Sequence, residues 1–231
     1  MSEIYHVLNR GVDKRRIFLD KQDYFRFVHD LFELNNQNIV NTTFYSFQRS
    51  KNNEVQLRKF KQSPKIKKPR KLLVNIHAFC LMPNHYHLLL SPRTKNGVSK
   101  FMHKLGTAYV KYFNQKYKRK GTLFEGRYKS ILVTDESHFY HLPYYVHLNP
   151  LDLKFPEWRK GEVKSYKAAL KFLEDYRWSS HLDYIGKKNF PSVTNREFLL
   201  EVFDGEKEYK KSTKEWLKNL ELKDIKDWIL E

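Results

Sequence analysis

The chain has 231 residues, 40% of them hydrophobic and 16% aromatic, which excludes a disordered protein and allows one sizeable core. Its formal net charge of +18 predicts an acidic polymer as its partner. With no run of about 18 apolar residues and no secretion signal, the sequence predicts a cytoplasmic protein without a membrane partner.

In the predicted strands, apolar and polar residues alternate or apolar residues form short runs. Turn residues flank each of these strands. They cover residues 4–12, 39–47, 72–81, 85–91 and part of 123–133. A first helix begins near Asp20 or Asp23, and a second spans about residues 98 to 117. Thr134 or Asp135 caps a third helix, which ends near Asn149. This order predicts an α+β fold, an antiparallel sheet with helices on one face.

Basic residues are concentrated in two segments. Residues 49–71 hold ten basic residues against one acidic residue, and they predict a mobile basic arm between two strands. Residues 111–129 are basic as well. Either segment alone could be a solvated face, but two of them beside a candidate metal site favour phosphate binding. The candidate nucleic-acid contacts are Arg10, Arg15, Arg16, Lys67, Lys68, Arg70, Arg127 and Lys129.

Two histidines follow the predicted turn at Met82-Pro83-Asn84. His85 and His87 are separated by one residue in a predicted strand. Because successive strand side chains point to opposite faces, both imidazoles emerge on the same face. That arrangement allows them to bind one divalent cation.

A tyrosine and an amide in a second segment could complete the site. Tyr145 and Asn149 are four residues apart and share one face of the predicted helix, which Pro150 ends. If that helix packs across the sheet, both side chains can face the two histidines. Two imidazoles and an amide oxygen leave positions for water and a phosphate oxygen, as a catalytic site requires. This set suits Mg²⁺ or Mn²⁺ beside a phosphate, and the imidazoles alone would also accept Zn²⁺.

Five ordered blocks resemble the single-tyrosine transposases of the His-hydrophobic-His (HUH) nuclease superfamily. The resemblance is strongest to the REP-associated tyrosine transposases and their IS200-like relatives. The blocks are Tyr5–Gly11, Met82–His87, Gly121–Lys129, Tyr145–Pro150 and Trp178–Gly186.

The resemblance implies an RRM-like, ferredoxin-like sandwich, in agreement with the order of the elements. It also implies that His85, His87 and Asn149 bind Mg²⁺ or Mn²⁺ and that Tyr145 is the nucleophile. Tyr144 remains the alternative nucleophile. The chain departs from the family pattern in its long basic insertion and in Pro143, which is expected to kink the helix near Tyr145.

The implied reaction is the cleavage and rejoining of single-stranded DNA, with a hairpin-containing strand as the expected substrate. A tyrosine hydroxyl ordinarily has a pKa near 10, so it needs a metal that binds the scissile phosphate and orients it. The tyrosine would then form a covalent 5′-phosphotyrosine link and release a 3′-hydroxyl. No nucleotide cofactor is expected, since no glycine-rich phosphate loop is found.

Two other functions remain open. A relative that has lost its chemistry would bind nucleic acid through its sheet and basic arm. A replication initiator or relaxase, another nickase with the two-histidine motif, would be expected to have a further metal histidine or a differently placed tyrosine pair. The sequence is compatible with both a monomer and a homodimer.

The predicted domains are a transposase domain over residues 1–190, with the basic insertion at about 49–71, and a C-terminal helical appendage over 191–231. The apolar residues of that appendage could cap the core, pair two subunits or cover the active site.

Overall fold

The computed structural model describes residues 3–39, 45–49, 55–59 and 69–219. Its main sheet has four antiparallel strands in the order β4-β5-β1-β6. These strands are β1 (Ile4–Arg10), β4 (Val74–Met82), β5 (His85–Pro92) and β6 (Lys129–Val133). Together with the first two helices they follow the chain order of a ferredoxin-like sandwich, strand-helix-strand-strand-helix-strand. The predicted α+β fold is therefore confirmed.

Two helices cover one face of this sheet. Helix α1 (Lys21–Glu33) begins at the N-cap Asp20, whose side chain accepts a hydrogen bond from the Asp23 backbone in a reciprocal capping box. Helix α2 (Gly97–Lys116) packs beside α1. The core between them and the sheet contains buried side chains from both layers, including Val7, Phe27, Leu31, Leu88, Leu90, Phe101 and Leu105.

The opposite face of the sheet is also covered, which differs from the predicted one-sided arrangement. Helix α3 (Glu136–Leu148) packs against β4 and β5 and forms a second core with sheet residues such as Ala78, Cys80 and Leu89. Because β4 and β5 are apolar on both faces, an uncovered face would expose large hydrophobic side chains to water. Cys80 is fully buried in this second core.

Helix α3 is one helix from Glu136 to Leu148, and Pro143 lies within it without ending it. The predicted cap is confirmed, since the side chain of Asp135 accepts a hydrogen bond from the His138 backbone at 3.0 Å. Asn149 follows directly and begins a 3₁₀ turn, Asn149–Leu153, in which Pro150 occupies the first turn. A second 3₁₀ turn spans Pro156–Lys160.

The remaining helices complete the second core. They are α4 (Tyr166–Asp175), α5 (His181–Tyr184), α6 (Glu197–Val202) and α7 (Gly205–Lys218). Tyr209 of α7 is fully buried, and its hydroxyl shares a 2.7 Å hydrogen bond with Nδ1 of His147 on α3. The described part of the C-terminal segment therefore caps the core. The domain boundary predicted near residue 190 stays a prediction.

The basic arm contains secondary structure that the sequence does not predict. Strands β2 (Tyr45–Arg49) and β3 (Val55–Lys59) pair with each other as a separate antiparallel ribbon. The predicted second strand at 39–47 therefore lies partly in this ribbon and not in the main sheet. Lys67 and Lys68 lie outside the described residues.

Among the residues that the structure describes, no helix combines the length and the apolar character needed to span a membrane.

Candidate active site

The two histidines of β5 project from the face of the sheet that α3 covers. Both are buried, with 6% of His85 and none of His87 exposed. The alternating residues Tyr86, Leu88 and Leu90 belong to the core on the other face. The ring centroids of His85 and His87 are 5.0 Å apart. The prediction that both imidazoles share one face is thus confirmed.

The Nδ1 atom of each histidine forms a hydrogen bond. Nδ1 of His85 lies 2.7 Å from Oδ1 of Asn84, the last residue of the turn between β4 and β5. Nδ1 of His87 lies 2.9 Å from Nε2 of His6, a fully buried residue of β1. Such bonds fix the orientation of metal-binding imidazoles and direct their Nε2 atoms to the ion.

Helix α3 brings Tyr145 to these histidines. The ring of Tyr145 stands edge-on to that of His87, with 5.8 Å between centroids, and 6.1 Å separates it from the ring of His6. Only 1% of Tyr145 is exposed. Tyrosine and histidine therefore meet in one buried cluster, as the sequence predicts for a helix packed across the sheet.

Tyr144, the alternative nucleophile, faces the other way. Its ring stacks on Tyr209 with 4.9 Å between centroids and also contacts Phe203 and Trp216. Burial among these C-terminal side chains raises the pKa of Tyr144 to about 12. Of the two tyrosines, Tyr145 and not Tyr144 therefore lies beside the histidines.

Asn149 and Arg159 lie beside Tyr145. The amide nitrogen of Asn149 donates a 2.9 Å hydrogen bond to the backbone oxygen of Tyr145, one helical turn earlier. Arg159, on the second 3₁₀ turn, donates to Oδ1 of Asn149 and to the hydroxyl of Tyr145, each at 3.4 Å. The predicted pairing of Tyr145 with Asn149 on one helical face is confirmed, and an arginine joins the pair.

The donor set fits a divalent cation. A metal–nitrogen distance of about 2.1 Å and an angle of roughly 100° place two bound imidazoles with centroids about 5 Å apart, which matches the separation of His85 and His87. The side-chain oxygen of Asn149 is an additional hard donor of the kind that Mg²⁺ and Mn²⁺ accept. Within the described part of the chain, no cluster of three His, Cys, Asp or Glu side chains forms a metal site.

Comparison with known proteins finds a family similarity. Residues 38–149 match the family model described as "Transposase IS200 like". This segment is therefore similar to the IS200-like transposases. The matched residues include His85, His87, Tyr145 and Asn149, the same side chains that the sequence singles out.

One solved structure similar to this chain is that of a REP-associated tyrosine transposase bound to a REP hairpin. The two share 11% sequence identity, with a TM-score of 0.47, over 83% of this chain and 84% of that one. No curated protein matches the sequence.

Several predicted phosphate contacts lie at the end of the sheet where His85 lies. Arg10 pairs with His85 across β1 and β5, and the loop after it runs over the turn between β4 and β5. In that loop the backbone nitrogen of Gly11 donates to Asn84 at 2.8 Å, and a Cβ atom on Gly11 would lie 2.3 Å from the backbone oxygen of Arg15. Glycine is therefore required for this close approach.

The charges near this end form a basic rim beside the candidate site, here defined as the half-buried Arg10 and the exposed Arg15, Arg16, Arg127 and Lys129. The loop that holds Arg127 is tied to β1 by a 2.9 Å bond from the Glu125 nitrogen to the Arg10 oxygen. Lys129 pairs with Leu8 at the start of β6. The structure brings these predicted contacts to one end of the sheet.

Arg70 lies away from the basic rim. Its guanidinium donates a 2.6 Å hydrogen bond to the backbone oxygen of Phe32 and sits 3.5 Å above the Phe32 ring at the end of α1. The nearby β4 begins at Val74, which pairs with Pro92 at the end of the sheet remote from His85. The structure does not bring Arg70 to the candidate site.

Two site residues were not predicted, His6 and Arg159. His6 stands in the first of the five blocks, and its alternation in β1 places it on the face of His87, so a pairing of β1 with β5 would have revealed it. Arg159 follows an irregular segment, and no local pattern identifies it. Both lie outside the matched residues 38–149.

Proposed function

We propose that this transposase is a metal-dependent enzyme that cleaves and rejoins single-stranded DNA through a covalent 5′-phosphotyrosine link to Tyr145. The observation that carries the proposal is the buried contact between the rings of Tyr145 and His87, 5.8 Å apart. A nucleophile and a metal-binding pair are thus held together by packing of α3 on the sheet. Arg159 and Asn149 add polar contacts to the same tyrosine.

The metal-binding side chains and Tyr145 have separate roles in this reaction. When bound by His85, His87 and Asn149, Mg²⁺ or Mn²⁺ would supply Lewis-acid stabilisation of the scissile phosphate. The hydroxyl oxygen of Tyr145 bonds to phosphorus and loses its proton, while the bond from phosphorus to the 3′ oxygen breaks and that oxygen gains a proton. A 3′-hydroxyl can reverse the step, because the phosphotyrosine retains the energy of the phosphodiester.

The substrate class follows from charge and from the number of nucleophiles. The chain has a net charge of +18, and the basic rim borders the site, which favours a polyanion. One tyrosine cuts one strand, so single-stranded DNA is the proposed substrate. A hairpin within that strand is the expectation that the family resemblance adds.

The test is a covalent adduct on a denaturing gel. The protein is incubated with Mn²⁺ and a pool of end-labelled single strands that contain a hairpin with randomised flanks. We expect a slow-migrating adduct that requires metal, that Tyr145→Phe abolishes and that Tyr144→Phe retains. Tyr144 is the matched control because it is the same residue type, adjacent in sequence, and faces the C-terminal helices.

The opposite result would be retardation on a native gel without any adduct, at every metal concentration. It would favour the binding protein without chemistry over the enzyme.

A further inference from the structure

Arg159 is held rigidly by a carboxylate at the edge of the site. Its Nε donates to Oδ1 of Asp152 at 2.8 Å and its terminal nitrogen donates to Oδ2 at 2.6 Å, a two-point ion pair. The indole nitrogen of Trp158 donates to the same Oδ1 at 2.6 Å. Two-point pairing fixes the plane of a guanidinium as well as its position.

The fixed guanidinium reaches the reacting oxygen. One terminal nitrogen lies 3.4 Å from the hydroxyl oxygen of Tyr145, and the other lies 3.4 Å from Oδ1 of Asn149. These contacts are longer than the bonds to Asp152, so the arginine is anchored on Asp152 and presents its charge to Tyr145. The guanidinium carbon lies 5.5 Å from the centre of the Tyr145 ring.

The surroundings suit an electrostatic role better than a purely structural one. Tyr145 and Asn149 are buried, whereas the side chains of Arg159 and Asp152 are 23% and 25% exposed. The ion pair is thus more exposed to solvent than the tyrosine that it contacts. A positive charge there acts on the tyrosine oxygen in a medium less polar than water, which strengthens the interaction.

We propose that Arg159 is a further catalytic residue, which stabilises negative charge on the Tyr145 oxygen and is itself held by Asp152. The proposal rests on the function proposed above. In cleavage, that oxygen forms its bond to phosphorus as it loses its proton. In rejoining, the same bond breaks, the oxygen leaves with the electron pair, and the incoming 3′-hydroxyl gives up its proton. Arg159 stabilises the charged oxygen in both directions.

The test measures the rate of adduct formation at saturating oligonucleotide with Mn²⁺, together with the oligonucleotide concentration at half saturation and the melting temperature. We expect Arg159→Gln to lower the rate by about 10²-fold, the typical effect of removing one preorganised donor. Arg159→Lys keeps the charge but loses the two-point pairing, so its rate should lie between those of the wild type and Arg159→Gln. Arg177→Gln, at an exposed arginine stacked on Phe25 and Trp178, should keep the wild-type rate.

A purely structural role of Arg159 predicts a different order of the variants' rates of adduct formation. In that case the lysine variant, which cannot form the two-point pair, would lose as much rate and stability as the glutamine variant. That result, or a wild-type rate in Arg159→Gln, would overturn the proposal. If Arg159→Gln does not fold, Asp152→Asn replaces it, with a reduced rate expected and an unchanged rate overturning the proposal.

Adduct formation by the wild type distinguishes a failure of the proposed function from a failure of the role of Arg159. If the wild type forms no adduct, the proposed function fails. If the wild type forms the adduct and Arg159→Gln forms it equally fast, only the role of Arg159 fails.

Discussion

The ring of Tyr145 stands edge-on to the imidazole of His87, with 5.8 Å between centroids, although one residue lies on a helix and the other on a strand. The contact exists because α3 covers the face of the sheet from which the histidines project. Packing of that second core therefore assembles the site.

Replacing His6 should weaken metal binding. The His6→Phe variant fills the buried space but removes the hydrogen bond to Nδ1 of His87, whose orientation is then less fixed. We expect the affinity for Mn²⁺ to fall by about 10- to 100-fold, the usual effect of losing such a partner. Calorimetric titration with Mn²⁺ measures it, with His87→Ala as the reference for a lost ligand.

The matched control is His103→Phe, at an exposed histidine of α2. An affinity in His6→Phe equal to that of the control would contradict a role for His6 in orienting His87.

Replacing a charge of the basic rim should weaken DNA binding without a change of sequence preference. For Arg127→Gln, we expect lower affinity for every single strand tested and a salt slope shallower by roughly 0.7, as for one lost phosphate contact. Fluorescence anisotropy at several salt concentrations measures both. Arg93→Gln, at an exposed arginine on the other end of β5, is the control. Equal slopes for the two variants would remove Arg127 from the interface.

The hydroxyl of Tyr209 should contribute to the stability of the fold. It shares a 2.7 Å hydrogen bond with His147, whose other ring nitrogen lies 2.7 Å from Ser180. Tyr209→Phe removes a partner from a fully buried imidazole, so we expect the free energy of unfolding to fall by about 1–3 kcal/mol. Urea denaturation measures this, with the exposed Tyr140 changed to Phe as control. Equal stabilities of the two variants would show that α7 does not depend on this bond.

Buried His77 should make the protein less stable in mild acid. Burial lowers the pKa of His77 from 6.5 to about 4, and its ring bonds to Ser91. Between those pH values the unfolded chain binds a proton that the folded protein does not, so stability is complete above about pH 6.5 and falls towards pH 4. The contribution of this residue is on the order of 3 kcal/mol at most.

Urea denaturation at several pH values tests this expectation. His77→Gln should show a smaller loss of stability between pH 6.5 and pH 4 than the wild type does. Burial also lowers the pKa values of His138 and His181 to about 4. These two residues therefore still contribute to the loss of stability in acid in the His77→Gln variant. His103→Gln is the control, and an acid response in His77→Gln as large as the control's would contradict the assignment.

The sequence predicts those parts of the site that local periodicity determines. The alternation of β5 places His85 and His87 on one face, and the helical spacing pairs Tyr145 with Asn149. The cap at Asp135 and the turn at Pro83 follow from residue type. These features depend only on neighbours in the sequence.

The parts that were missed depend on contacts distant in the sequence. His6 joins His87 only through the register of β1 with β5, and Arg159 reaches Tyr145 only because Asp152 and the 3₁₀ turns fold back on α3. The helices on the second face were missed because the continuous apolar pattern of β4 and β5 was interpreted as a sheet with one covered face. Strand β3 and its pairing with β2 were missed because the basic residues around β3 resemble those of a loop.

The central claim is that Tyr145, next to the two histidines, becomes covalently bonded to the 5′ phosphate of the cleaved DNA strand. The most direct measurement is mass spectrometry of the purified adduct after digestion with protease and nuclease. We expect a nucleotide 5′-phosphate on the peptide that contains Tyr145, and fragment ions that place it on that residue. A nucleotide on Tyr144 or on any other side chain would contradict the account.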